Sequence, residues 1–262
     1  MNYFMFGIEF IWKRRLKIML AVITGGTKGI GLSVAIALGK AGYHIILTGR
    51  SQESGDSAIK VLSEQSVSVE FILANSMVEK DINQAFDQIS KKYDSIDLLV
   101  NNVGGLGGRQ RFEKMETSFM RNVMALNFDS AFFASRAAIP LLKKGLNPSI
   151  INYSSIATTS GGGIGAGIYA ASKAAIEGLT RALAKDLAEY GIRVNAVSPG
   201  TIDTDFHAAT DRTIIESWKD SILMKRLGQP AEVASVIEFL ASEKASFLTG
   251  EIIQVNGGQA FI

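Results

Sequence analysis

The chain has 262 residues, of which 47% are hydrophobic, so it can bury one substantial core. It contains no cysteine, which excludes disulfides and thiolate metal sites and fits a reducing cytoplasm. Its two histidines, His44 and His207, are too few for a histidine metal cluster. A net charge of +2, from 27 basic and 25 acidic residues, is too balanced for a nucleic-acid-binding surface. We therefore expect a cytoplasmic protein with no bound metal and no nucleic-acid partner.

Residues 1–18 are predicted to form an N-terminal extension ahead of one domain that spans residues 19–262. The extension has an apolar run followed by a basic cluster at 13–17, whereas a secretory signal has the reverse order. Glu9 interrupts the apolar run, which is too short to span a bilayer. The sequence thus predicts neither export nor a transmembrane segment. An interfacial membrane anchor, an extension packed on the domain and a translation start at Met19 are the alternatives.

Seven short apolar runs alternate with helical patterns along the chain. The first run, IMLAVIT, is typical of a strand buried on both faces. The predicted strands are IMLAVIT (18–24), HIILTG (44–49), VEFILAN (69–75), IDLLVNN (96–102), SIINYSS (149–155), IRVNAVS (192–198) and EIIQVNG (251–257), and the predicted helices include 30–42, 79–92, 117–144, 168–189 and 230–241. This order predicts an α/β class protein: a single-domain Rossmann fold with a seven-stranded parallel sheet flanked by helices on both faces.

A glycine-rich turn, TGGTKGIG, follows the first predicted strand and opens a helix. Gly25, Gly29 and Gly31 allow a tight turn and a close backbone approach to a pyrophosphate, whose charge the N–H groups at the helix start can bind. A glycine-rich turn alone is weak evidence of a binding site. Its position between a strand and a helix is the context that dinucleotide binding requires, and we therefore predict that function.

Arg50 directly follows the second predicted strand, about twenty residues after the glycine-rich turn, where NAD-binding units usually have an acidic residue. An arginine there attracts a 2′-phosphate, and Lys28 in the turn adds a second positive charge. The alternative is a solvated surface arginine. We predict that the cofactor is NADP(H).

The segment GGGIGAGIYAASK places Tyr169 and Lys173 one turn apart on the same face of a predicted helix. On these residues alone, an ordinary amphipathic helix start with a surface lysine is the simpler interpretation. This interpretation changes when the segment is considered together with the motifs elsewhere in the chain. Read together, they are Thr24-Gly25-x-x-x-Gly29-x-Gly31, Asn101-Asn102-x-Gly104, Asn127, Ser155, Tyr169-x-x-x-Lys173 and Pro199-Gly200.

In this order and spacing, the segments resemble the short-chain dehydrogenase/reductase family over residues 19–262. The C-terminal stretch from KRLGQP to QVNGG is also similar to the 3-oxoacyl-[acyl-carrier-protein] reductases of that family. The resemblance implies that Tyr169 is the general acid and base, that Lys173 lowers the tyrosine pKa and holds the nicotinamide ribose, and that Ser155 orients the substrate carbonyl. It also implies that Asn127 anchors a proton-relaying water.

These patterns and the resemblance together predict the cofactor-binding positions. They are Gly25, Thr27, Lys28, Gly29, Ile30, Gly31, Arg50, Asn75, Asn102, Gly104, Tyr169, Lys173, Pro199, Gly200, Ile202 and Thr204.

The chain departs from the family pattern in three places. Asn75 stands where an aspartate usually meets the adenine, and Val103 replaces a usual alanine. Thirteen residues separate Ser155 from Tyr169, one more than family members commonly have. We assign the extra residue to the loop 158–167, which lines the substrate mouth in the family, so this departure bears on specificity.

The predicted function is NADPH-dependent reduction of a ketone to a secondary alcohol, with 3-oxoacyl thioesters among the candidate substrates. The alternatives are an alcohol, sugar or steroid dehydrogenase of the same family working oxidatively, and a non-enzymatic NADP-binding regulatory protein. Enoyl reduction is disfavoured because that branch of the family spaces its tyrosine and lysine more widely. The resemblance also implies a homo-oligomer, either a tetramer or a dimer.

The substrate and its carrier leave weaker signals in the sequence. Segment 201–230 corresponds to the mobile substrate cover of the family, and His207 within it is interpreted as a loop residue. Its apolar face is either a cover for an acyl chain or ordinary core or subunit contact, and consists of Phe206, Ile214, Ile215, Trp218, Ile222 and Leu223. Basic residues near the site mouth would favour an acyl-carrier-protein partner, and one helix offers Arg136, Lys143 and Lys144. The segment AEYGIR has an acid and a tyrosine where an arginine would favour docking, which counts against an acyl-carrier-protein partner.

Overall fold

The computed structural model describes residues 18–204 and 212–261, with the side chains of residues 212–214 left out. It contains a seven-stranded parallel sheet in the order β3-β2-β1-β4-β5-β6-β7, which confirms the predicted sheet and its Rossmann-type architecture. The strands are β1 (Met19–Thr24), β2 (Tyr43–Gly49), β3 (Val69–Leu73), β4 (Leu98–Asn101), β5 (Ser149–Tyr153), β6 (Arg193–Pro199) and β7 (Ile252–Val255).

Helices connect the strands and cover both faces of the sheet. They are α1 (Gly29–Lys40), α2 (Gln52–Glu64), α3 (Glu79–Lys92), α4 (Thr117–Met124), α5 (Ser130–Leu142), α6 (Ala157–Ser160), α7 (Gly167–Leu187), α8 (Arg212–Ser221) and α9 (Pro230–Ala241). None of the helices within the described ranges is long and apolar enough to cross a membrane.

Two hydrophobic cores lie on opposite faces of the sheet, because successive side chains of a strand point to opposite sides. On β1, Ala21 and Ile23 face the core that α1 and α9 cover, whereas Leu20 and Val22 face the core that α3, α5 and α7 cover. This burial on both faces explains why the strands read as continuous apolar runs.

The predicted helix over 117–144 is interrupted. Between α4 and α5 the chain makes one π-helical turn, Ala125–Asp129, and Asn127 at its centre is buried. The Asn127 Nδ2 donates to the carbonyl oxygen of Val123 at 3.0 Å and to that of Gly105 at 2.9 Å. The wider turn thus directs a polar side chain inward, as π-turns at functional positions often do.

Two of the three basic residues that we considered for docking an acyl carrier protein do not lie near the site mouth. Lys143 and Lys144 follow the end of α5 just before β5 begins, so they lie at the edge of the sheet opposite the strand C-termini and away from any site mouth. Arg136 forms an ion pair with Glu79. Helix α5 runs antiparallel to the strands, so the two lysines that follow its C-terminus lie at the opposite edge of the sheet from the expected one.

Residues 1–17 of the predicted extension and the segment 205–211, with Phe206 and His207, lie outside the described residues, as does the side chain of Ile214. Of the rest of the predicted apolar face, Ile215 and Trp218 are half-buried. Ile222 is buried, whereas Leu223 is 66% exposed.

Candidate active site

A cavity of about 700 Å³ opens at the C-terminal edge of the sheet, where open parallel sheets bind ligands. The ends of β1, β2, β3, β4, β5 and β6 all contribute residues to it. Every predicted cofactor-binding residue lines this cavity except Gly31, and every predicted catalytic residue lines it except Asn127. Among residues 18–204 and 212–261, no cluster of three acidic or histidine side chains could hold a metal ion.

The glycine-rich turn is held against the loop after β4. Gly25 has a φ of +64°, and a Cβ added there would lie 2.8 Å from Cγ2 of Val103. A Cβ added at Gly31 would lie 2.6 Å from Nδ2 of Asn102, which itself donates to the Gly25 carbonyl oxygen at 2.8 Å. Gly31 therefore serves this close packing and does not line the cavity.

The start of α1 suits a phosphate group. Its first turn contains no acidic residue, and the backbone N–H groups there carry the partial positive charge of the helix dipole. The size of the cavity, the glycine turn and this helix start together fit a dinucleotide.

Arg50 and Lys28 lie at the end of the cavity formed by the β2 terminus and the glycine-rich turn, and both are exposed. Asn75 lines the same end of the cavity. Its Oδ1 accepts a hydrogen bond from the Met77 backbone N–H at 3.1 Å, so this oxygen, which we expected to meet the adenine, also holds the turn after β3.

Tyr169, Lys173 and Ser155 come together at the inner end of the cavity. Tyr169 and Lys173 lie one turn apart near the start of α7, as predicted, and Nζ of Lys173 is 6.0 Å from the centroid of the tyrosine ring. Nζ also donates to the carbonyl oxygen of Tyr153 at 2.9 Å. Ser155 forms a side-chain hydrogen bond with Tyr169, and its Oγ accepts from the Ala157 backbone N–H at 3.1 Å.

Burial perturbs both titrating groups of this trio. Lys173 is 4% exposed, and desolvation lowers its pKa to about 8. Burial raises the pKa of Tyr169 above its ordinary value, and the hydrogen bond from Ser155 acts in the opposite direction. We expected Lys173 to lower the tyrosine pKa. In this structure burial is the larger effect, and Ser155 is the group that opposes it.

Asn127 lies directly behind the cavity wall, and Gly104 separates it from Lys173. A Cβ added at Gly104 would lie 2.8 Å from Nζ of Lys173 and 2.9 Å from Oδ1 of Asn127, so the two side chains approach the same point. The distance between Nζ of Lys173 and Oδ1 of Asn127 therefore cannot exceed the sum of these two distances. One water molecule can bridge such a distance.

The loop 158–167, to which we assign the extra residue, packs on the loop after β4. The Arg109 guanidinium donates to the carbonyl oxygen of Ile164 at 3.1 Å, and the Gln110 N–H donates to that of Gly165 at 3.0 Å. Loop 158–167 thus has its hydrogen-bonding partner in segment 104–111.

Three residues of the site were not predicted from the sequence. Tyr153 supplies the carbonyl oxygen that accepts from Lys173, Ser154 lines the cavity, and Glu177 accepts a hydrogen bond from Ser154. Tyr153 and Ser154 could have been identified from their place at the end of a predicted strand. The signal for Glu177 is its spacing of one further helical turn after Lys173.

Known proteins resemble this chain over nearly its whole length. The family model described as enoyl-(acyl carrier protein) reductase matches residues 25–260. A 3-oxoacyl-[acyl-carrier-protein] reductase from Aquifex aeolicus is 36% identical over 93% of this chain and 98% of its own length. A 3alpha-hydroxysteroid dehydrogenase from Mediterraneibacter gnavus is 36% identical over 92% of this chain and 97% of its own length.

The solved structures include an NADH-dependent reductase responsible for alginate metabolism, which superposes with a TM-score of 0.85 at 34% identity. That comparison covers 94% of this chain and 99% of the other. The sheet order, the cavity at its C-terminal edge and these matches lead to one conclusion: the chain belongs to the short-chain dehydrogenase/reductase family of nicotinamide-dependent oxidoreductases.

Proposed function

We propose that this protein is an NADPH-dependent ketoreductase that converts a ketone to a secondary alcohol. The observation that carries the proposal is the meeting of Tyr169, Lys173 and Ser155 at the inner end of a cavity of dinucleotide size. The three residues are proposed to be catalytic, together with Asn127.

The proposed mechanism assigns one task to each side chain. A bound nicotinamide dinucleotide supplies the hydride that the carbonyl carbon receives. Ser155 donates a hydrogen bond to the carbonyl oxygen and orients it, and Tyr169 transfers its hydroxyl proton to that oxygen as general acid. Lys173 holds the ribose and stabilises the resulting phenolate, and a water between Asn127 and Lys173 returns the proton. The products would be a secondary alcohol and the oxidised cofactor, NADP⁺, which NADPH would replace before the next turnover.

The preference for NADPH over NADH is proposed from charge. Arg50 lines the cavity where an acidic residue would repel a 2′-phosphate, and Lys28 lines it close by. A guanidinium can bind two phosphate oxygens in parallel, whereas the lysine is a flexible point charge. The similar reductase of alginate metabolism is NADH-dependent, so this preference has to be measured on the present chain.

The proposed substrate is a 3-oxoacyl thioester, supported by the name of the Aquifex aeolicus relative and by the similar C-terminal stretch. An acyl-carrier-protein partner has weaker support, because Lys143 and Lys144 lie away from the cavity. The name of the hydroxysteroid dehydrogenase relative supports the second candidate, oxidation of a secondary alcohol. A non-enzymatic NADP-binding role is disfavoured because the proposed catalytic residues Ser155, Tyr169 and Lys173 line one cavity.

We further propose a homo-oligomer, a dimer or a tetramer. Phe247 and Phe261 are 101% and 80% exposed, and β7, at the edge of the sheet, is near them in sequence. Light scattering on the purified protein would give the oligomeric state, and a monomer at micromolar concentration would contradict this proposal.

The decisive experiment follows NADPH and NADH consumption against a panel of ketones. The panel contains acetoacetyl and longer 3-oxoacyl thioesters, simple ketones, quinones, sugars and 3-oxosteroids, and the corresponding alcohols are tested with NADP⁺ and NAD⁺. We expect the highest kcat/KM with a 3-oxoacyl thioester and NADPH. No turnover with any carbonyl compound or alcohol would refute the proposed function.

A further inference from the structure

The proposed mechanism gives no role to Glu177, which lies on the same helix as Tyr169 and Lys173. It lies on α7 one turn beyond Lys173 and two turns beyond Tyr169, so the three side chains share one face of the helix. Its Oε1 accepts a hydrogen bond from Oγ of Ser154 at 2.6 Å. Ser154 is 3% exposed, so this is a hydrogen bond between a buried hydroxyl and a partly buried carboxylate. Such charge-assisted bonds are short and roughly twice as strong as neutral ones.

This bond is one of three that join α7 to β5 at successive turns of the helix. Lys173 Nζ donates to the Tyr153 carbonyl oxygen at 2.9 Å, and Asn152 Nδ2 donates to Thr180 Oγ1 at 2.9 Å. The Ser154–Glu177 bond lies between them along the helix. Strand β5 leads directly into Ser155, and α7 carries Tyr169, so these bonds set the position of one reacting side chain relative to the other.

The Ser154 bond is the nearest of the three to Ser155 in sequence. The Ser154 N–H donates to the Val197 carbonyl oxygen at 2.8 Å, which fixes its backbone to β6. Its side chain, through Glu177, fixes the same residue to α7. Ser154, which directly precedes Ser155 in the chain, is thus held on two sides. Its position matters because a shift of about 1 Å in a reacting group is enough to slow catalysis greatly.

We infer that Glu177 is a positioning residue, which acts through Ser154 to hold Ser155 against Tyr169. This inference rests on the proposed function. Glu177 touches neither substrate nor cofactor in this role, and its contribution is the geometry of the Ser155–Tyr169 pair.

The test compares Glu177→Ala, Glu177→Gln and Ser154→Ala with the wild type in steady-state ketone reduction. We expect Glu177→Ala and Ser154→Ala to lower kcat about 10-fold, with the KM for NADPH changed less than about 2-fold, because neither residue belongs to the glycine-rich turn or the β2 terminus. Glu177→Gln keeps an oxygen acceptor for Ser154 and should recover most of the rate. Asp186→Ala, an exposed carboxylate on the same helix, is the matched control and should retain the wild-type kcat.

The pH profile of alcohol oxidation separates positioning from a simple charge effect. The groups that face Tyr169 include Ser155 and Lys173, and the hydrogen bond from Ser155 favours the phenolate. Displacing Ser155 should therefore move the midpoint of the kcat profile to higher pH in Glu177→Ala and Ser154→Ala but not in Glu177→Gln. If the carboxylate acted only by its charge, its removal would favour the phenolate, and the midpoint would move to lower pH in both Glu177 variants.

The outcomes distinguish this inference from the proposed function. An active wild type whose kcat is unchanged in both Glu177→Ala and Ser154→Ala would overturn the positioning role alone, as would the downward shift in both Glu177 variants. If Glu177→Ala does not fold, Ser154→Ala decides the question, because it removes only one oxygen atom. An inactive wild type would instead refute the ketoreductase proposal.

Discussion

Replacing Lys173 with methionine is expected to stabilise the cofactor-free fold near neutral pH while it abolishes turnover. Burial lowers the lysine pKa from 10.5 to about 8, and each pKa unit corresponds to about 1.4 kcal/mol, so the buried charge costs about 3 kcal/mol. Methionine has a similar length and no charge. It also removes the hydrogen bond to the Tyr153 carbonyl oxygen, a loss of about 1–2 kcal/mol. The net gain at pH 7 is therefore about 1–2 kcal/mol.

The dependence of this gain on pH is the sharper test. Below pH 8 the lysine is charged in both the folded and the unfolded state, so the folded state bears the full cost. As the pH rises from about 8 towards 10.5, the folded protein loses the proton first, and the cost falls to about 1 kcal/mol by pH 10. The advantage of Lys173→Met over the wild type should thus shrink by about 2 kcal/mol between pH 7 and pH 10.

Denaturant unfolding of both proteins at pH 7 and pH 10 measures this difference. Lys185→Met is the matched control, because Lys185 is an exposed lysine on the same helix. It should change stability by less than about 0.5 kcal/mol at either pH. A Lys173→Met variant that is less stable than the wild type at pH 7, or whose advantage is the same at both pH values, would refute the reasoning.

Four further changes test other parts of the site. Tyr169→Phe should lower kcat by about 10²–10⁴-fold and leave the NADPH Kd unchanged, and a variant with half the wild-type rate would remove this residue from the mechanism. Arg50→Asp should shift cofactor preference towards NADH by about 10²-fold, measured as the ratio of Kd values; an unmoved ratio would make the arginine a plain surface residue. Gly104→Ala should lower kcat at least about 10-fold, because its Cβ would approach Nζ of Lys173 to 2.8 Å, and full activity would contradict this close approach. Deletion of residues 1–17 should leave a folded, active enzyme, and loss of the circular dichroism signal would show that the extension belongs to the core.

The sheet could be predicted from the sequence because its strands are buried on both faces. On β1 alternate residues enter two different cores, so positions 19–23 are all apolar and the strand stands out as a run. The position of the cavity then follows from topology, because the C-terminal ends of parallel strands share one edge. Tyr169 and Lys173 were predicted to share a helix face, and the structure confirms it.

Other features depend on tertiary contacts that no local pattern records. The π-helical turn at Asn127 accompanies a hydrogen bond from its side chain to Gly105 across the cavity wall, a partner distant in sequence. The pKa of Lys173 depends on how deeply α7 packs, and the direction of the Tyr169 shift depends on the balance between burial and Ser155. Spacing along a helix gives the neighbours of a group but not its solvation.

The contact between loops 104–111 and 158–167 has a consequence for engineering. Because Arg109 and Gln110 bind the carbonyl oxygens of Ile164 and Gly165, the two loops behave as one interchangeable part. Grafting only the longer loop onto a relative would leave these carbonyl groups without their donors and the graft in an altered shape. A chimaera that receives both loops together keeps the pairing, so attempts to transplant substrate selectivity should move the two segments as a unit.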